Sequence, residues 1–100
     1  MKATVQTLAG GSTVTLLIKG DFRFDIYEDF RAAYAGIEAD KKLVLDLRQV
    51  GSMDSSAMGM LLNMKEHLGR GDGEIHIVNA PESVLKVLRI ARFDKKFQIG

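Results

Sequence analysis

The sequence predicts an α/β fold, a sheet whose parallel strand pairs are joined by helical crossovers. Three observations lead to it. Leu43 to Leu47 is a short apolar run between Lys41-Lys42 and a polar turn, the pattern of a strand covered on both faces. Directly after that turn, Ala57, Leu61, Met64 and Leu68 recur at steps of four, three and four, one stripe of an amphipathic helix. Along the whole chain the order reads strand, strand, helix, strand, helix, strand, helix, which calls for right-handed crossovers between parallel strands.

The first two strands are expected at residues 3–8 and 12–19, paired as a hairpin around Gly10-Gly11-Ser12. Gly20-Asp21 is read as the end of the second. Asp25 and Glu28 have the spacing of a capping box, so a helix is expected to start at Asp25 and run to between Gly36 and Asp40, with Ile26, Phe30, Ala33 and Ile37 as its apolar stripe. The second helix is expected over 55–69, stopped by Gly69. Glu74 to Val78 reads as a further strand, Pro81 as the first turn of a third helix carrying Val84, Leu85 and Leu88, and Phe93 and Phe97 as residues folding back onto the core.

One hundred residues, 46% of them apolar, suit one hydrophobic core and a single domain over 1–100. Fourteen Lys and Arg against thirteen Asp and Glu leave a net charge of +1, which gives no reason to expect a polyanion partner. Arg89, Arg92, Lys95 and Lys96 are interrupted by Asp94 and lack a stacking platform, so they read as a solvated face rather than a nucleic-acid site. The polar start and the lack of an apolar run near 18 residues predict a cytoplasmic protein that does not enter membranes. Without cysteine there is no disulfide, thiolate metal site or cysteine nucleophile.

The chemistry concentrates at Gly51-Ser52-Met53-Asp54-Ser55-Ser56-Ala57-Met58-Gly59. This turn leaves the carboxyl end of a parallel strand, where such sheets meet ligands and partners, and it opens a helix whose free N–H groups and dipole favour anions. Asp54 and the serines also suit plain capping. A serine hydrolase would need a base, yet His67 lies about 18 Å along the helix from Ser55 and His76 lies mid-strand. Two such histidines make no metal site, no Gly-rich phosphate loop precedes a helix, and the acidic cluster that an aspartyl phospho-acceptor at Asp46 or Asp54 needs for Mg²⁺ is missing. No cofactor is expected. Met58 and Leu62 lie off the core stripe beside the serines, either as a pliable partner-binding patch or packed under the first helix.

These residues resemble the STAS-domain anti-sigma factor antagonists, or anti-anti-sigma factors, over nearly the whole chain. Leu45-Asp46-Leu47 followed by Met53-Asp54-Ser55-Ser56-Ala57-Met58-Gly59 is similar to that family's strand, its Asp-Ser-Ser/Thr-Gly-Leu-Gly turn and its helix. Gly20-Asp21-Phe22 resembles the Gly-Glu-Leu that ends its second strand, and Val87 to Ile99 resembles its closing segment. The resemblance implies a mixed sheet of four to five strands with helices mainly on one side. It implies a cytoplasmic binding switch, not an enzyme, whose partner is an anti-sigma factor or serine-kinase protein. Phosphorylation of Ser55, with Ser56 as the alternative, would release the partner, and a serine phosphatase would restore binding. Asp54, Ser55, Ser56, Met58, Leu62 and Arg23 would form the contact surface. Three departures stand out: Ala57 and Arg92 replace glycines, and Arg23 replaces an aspartate near the phosphorylation site. Rival readings are a STAS subunit of a sensory or transport complex, or a small hydrolase using Ser55.

Overall fold

The computed structural model describes residues 2–100. β1 (Thr4–Gly10) and β2 (Thr13–Phe22) form the hairpin, turning at Gly11, whose φ of +58° is cheap only for glycine. β3 (Lys42–Met53), β4 (Ile75–Val78) and β5 (Gln98–Ile99) then add in parallel, giving one five-stranded mixed sheet in the order β1-β2-β3-β4-β5. Three helices, α1 (Tyr27–Tyr34), α2 (Ser55–His67) and α3 (Glu82–Ile90), make the connections.

The core lies on one face of that sheet. Strand side chains alternate between faces, and in each central strand only one set is buried: Leu16 and Ile18, then Leu43, Leu45 and Leu47, then Ile75 and Ile77. Register places Leu16, Leu45 and Ile77 in one row across the sheet. Phe30 and Tyr34 from α1, Leu61 and Met64 from α2, and Val84 and Leu88 from α3 close over it. Each such side chain stabilises the fold by about 1.5–3 kcal/mol through lost contact with water. Phe93 and Phe97 fold back as expected, with rings 5.4 Å apart, and the return sets up β5.

Several expectations need correcting. Leu43 to Leu47 is not covered on both faces: Val44 and Asp46 are half exposed, because all three helices occupy the other side. Gly20-Asp21 does not end β2. Gly20 instead adopts φ +108° at a register shift, where a Cβ would lie 3.1 Å from Ala3, and pairing with β3 resumes to Phe22 and Met53. The capping box at Asp25 does not form. Asp25 sits in a 3₁₀ turn over Phe24–Ile26 without a side-chain cap bond, since buried Phe22 and Ile26 draw the chain tightly inward, and α1 begins at Tyr27.

Helix ends also moved. α1 stops at Tyr34, short of Gly36, and α2 stops at His67, with Gly69 taking φ +63° just beyond. Pro81 occupies the position before α3 rather than its first turn. Leu68 is half-buried at the core margin, whereas Tyr34 and Met60, absent from the predicted stripes, are buried. Beyond α2, the Arg70 guanidinium donates to the carbonyls of Lys41 at 2.7 Å and Glu38 at 3.1 Å, fastening the end of α2 to the turn before β3.

Candidate functional site at the head of the second helix

β3 outruns β4 by seven residues, carrying the chain from Asp46, the last position paired with β4, to Met53 before α2 begins. β2 accompanies it, and the Phe22 carbonyl accepts from Asp54 N–H at 3.5 Å. The end of β2 therefore lies against the head of α2, and Arg23, the next residue, emerges beside the serine turn. This junction brings together segments thirty residues apart in sequence.

Asp54 is the N-cap. Its backbone is extended (φ −102°, ψ 179°), and its carboxylate accepts from Ala57 N–H at 2.9 Å. Its carbonyl accepts from Met58 N–H at 3.4 Å, the first bond of the helical ladder. The N–H groups of Ser55 and Ser56 precede any intrahelical partner, as every helix start requires. Both serines are exposed, and neither hydroxyl makes a hydrogen bond among the described residues. Ala57 is fully buried beneath them, so the turn is anchored from below while its hydroxyls face solvent.

Met58 and Leu62 divide. Met58 is half-buried and packs against the core margin, whereas Leu62 is 36% exposed and belongs to the surface. Arg23 lies 3.6 Å from the Asp21 carboxylate, with more than half of its side chain in solvent, so the pair is weakly held. Asp21 also accepts from Ser52 Oγ at 2.9 Å, and the absence of a side chain at Gly51 leaves room for that carboxylate. Phe24 is 62% exposed and stacks on Tyr27 with centroids 5.3 Å apart. The sequence reading missed Asp21 as the partner of Ser52. The signal available was Gly20, whose freedom at positive φ lets β2 continue past a point that otherwise reads as a strand end.

The remaining candidates lie elsewhere. His67 packs edge-on against Tyr34, with centroids 5.6 Å apart, at the far end of α2 from Ser55. His76 is half-buried in β4. Asp46 accepts from Arg48 N–H at 2.9 Å and from Asn79 Nδ2 at 3.4 Å, a use that holds strand ends together. No three His, Asp or Glu side chains gather into a metal site among the described residues, and no helix there is long and apolar enough to cross a membrane.

With the sheet order and the strand-to-helix turn in view, comparison with known proteins gives the class. The family described as "Mlab, STAS domain" matches residues 5–99, and the chain belongs to the STAS-domain family. A STAS-domain containing protein of Pseudomonas aeruginosa is 37% identical over the full length of both chains. An anti-sigma factor antagonist from Mycobacterium paratuberculosis superposes with a TM-score of 0.81 at 18% identity, covering 98% of this chain and 85% of that one. The anti-sigma factor antagonist SpoIIAA in its unphosphorylated form superposes with a TM-score of 0.77 at 19% identity, covering 97% and 88%. The two superpositions show a shared fold, the STAS arrangement of five strands and three helices.

Proposed function

We propose that this chain is a cytoplasmic anti-sigma factor antagonist, a non-catalytic STAS domain over residues 1–100 that binds an anti-sigma factor or serine-kinase partner while Ser55 is unmodified. The observation that carries the reading is the setting of Ser55. It is an exposed, unbonded hydroxyl one residue after the N-cap Asp54, in the turn whose sequence resembles that of the antagonists. Among the proteins sharing the fold is an antagonist described in an unphosphorylated form, which supports phosphate as the controlling group.

Phosphorylation there adds about −1.5 to −2 charges and three acceptor oxygens. The free N–H groups of the first helical turn and the dipole favour that charge, so the fold tolerates it. A partner resting on Ser55, Ser56, Met58, Leu62 and Arg23 meets a dianion where a hydroxyl had been, and is released when it presents carboxylates or apolar groups there. A serine phosphatase then restores binding. Ser56 lies about 100° further around the helix and has the weaker claim.

The test is to isolate the protein from its own cells and map its phosphate by fragmentation mass spectrometry. The reading expects modification at Ser55 and its loss in Ser55→Ala. Phosphate confined to Ser56 or to another segment contradicts it. Co-purification with a transporter or sensory complex, unaffected by Ser55→Asp, favours the rival STAS role.

A further inference from the structure

On the edge of the sheet that ends in β5, a groove of about 540 Å³ runs along the outer side of α3. It is lined by Ala80, Leu85 and Ile90, with Lys86 and Arg89 among them. It adjoins a second hollow of about 250 Å³ where Leu85 and Arg89 face Ile77 and Ile99. Ile90 is 73% exposed, the most exposed large apolar side chain among the described residues. An isolated exposed isoleucine is commonplace. Here it lines a concavity together with Ala80 and Leu85.

The charged groups of this groove are mostly cationic. Its lining carries two cations, Lys86 and Arg89, against one acid, Glu82. Lys86 and Arg89 make no ion pair and no side-chain hydrogen bond among the described residues. The one acid in the lining, Glu82, stands at the opposite end of α3 from Arg89. An occupant that matches this surface is apolar inward and acidic along the side facing Lys86 and Arg89.

The dimensions choose its form. β5 has only two residues, so a strand added at that edge gains almost no ladder. The groove instead follows α3 from Glu82 to Ile90, about 12 Å at the helical rise, which matches about eight residues of a second helix. Apolar residues three and four apart on such a helix would meet Leu85, Ile90 and Ile99.

We propose that the α3–β5 groove is a second protein-docking surface, which takes an amphipathic helix of a partner with acidic residues on its flank. It shares no residue with the Ser55 surface, so it stands or falls independently of the phosphorylation switch. A STAS domain with two such surfaces holds one partner through α3 while Ser55 controls another.

The test titrates the isotope-labelled chain with two synthetic amphipathic peptides of about 15 residues, leucine on one face, with glutamate flanks in one and lysine flanks in the other. NMR amide shifts are the readout. The glutamate peptide is expected to move Leu85, Arg89, Ile90 and Ile99 saturably, with an affinity that weakens as salt rises. Arg89→Glu should lower that affinity about tenfold, and Lys86→Glu with Arg89→Glu should transfer the preference to the lysine peptide. Because Lys86, Arg89 and Ile90 are not core residues, the variants remain folded, and melting curves check this. Equal binding of both peptides, shifts confined to Met58 and Leu62, or no saturation overturns the proposal. So does a dimer in sedimentation that Ile90→Asp dissolves, because a second copy would then be the occupant.

Discussion

Arg92 holds φ +59°, in the left-handed region, at the end of the turn that follows α3. A side chain there costs about 1–2 kcal/mol that glycine avoids, and the family resemblance places a glycine at this position. Arg92→Gly is expected to raise stability by about 1 kcal/mol after the extra entropy of the unfolded glycine is counted. For a chain of this size that is a rise of roughly 4–8 °C in Tm. An unchanged or lower Tm argues that the Arg92 side chain makes a stabilising contact. Leu61 is the opposite case, with no exposed surface and a place at the centre of the helix layer. Leu61→Ala should cost about 2–5 kcal/mol in urea unfolding, and a loss under about 0.5 kcal/mol is incompatible with its burial. Leu61 was legible from spacing alone. Tyr34 and Met60 were not, because each lies one position off the apolar repeat and reaches the core from the flank of its helix.

At the scale of elements, helix existence was readable and helix starts were not uniformly so. α2 starts where Asp54 predicts, because its cap bond to Ala57 is local and nothing opposes it. α1 does not start where Asp25 predicts, because burial of Phe22 and Ile26 on either side outweighs a capping bond of about 1 kcal/mol. Asp54→Ala should therefore destabilise the protein by about 0.5–2 kcal/mol, while Asp25→Ala should leave the same melt almost unchanged. Met58 and Leu62 differ in a way spacing does not reveal. Leu62→Glu is expected to retain the native Tm and to lose partner binding, whereas Met58→Glu should lower both, since Met58 shares the core margin. Equal effects on Tm would contradict that division. The serine turn itself was visible as sequence, but Asp21, which accepts from its Ser52, was not. It arrives there only because β2 continues past Gly20 alongside the long β3.

Across the whole molecule, one core on one face of the sheet couples the helices to each other. Tyr34 lies at a junction of α1 and α2, against Phe30 and His67. Burial pushes its phenol above the ordinary value, with the Tyr27 phenol adding to the effect and Arg31 opposing it. A raised folded-state pKa means that the folded chain resists ionisation where the unfolded chain, near pH 10, does not. Stability is thus intact below about pH 10 and falls as pH rises through the higher folded value. Tyr34→Phe should show a shallower alkaline decline in Tm than the wild type, and parallel declines would place the phenol in solvent. The general topology was legible because the element order admits few right-handed arrangements. The open second face was not, since Val44 within an apolar run carries no mark of whether a helix covers it.

The claim that Ser55 is the switch is tested most directly by binding affinity. The protein that the unmodified chain captures from its own cells is titrated with two forms of this chain, one unmodified and one phosphorylated at Ser55 alone. The account predicts binding weakened roughly a hundredfold, about 3 kcal/mol, in the phospho-form, with Ser55→Asp weakened in the same direction and circular dichroism unchanged in both. Equal affinity of the two forms, with the phosphate verified on Ser55, contradicts it.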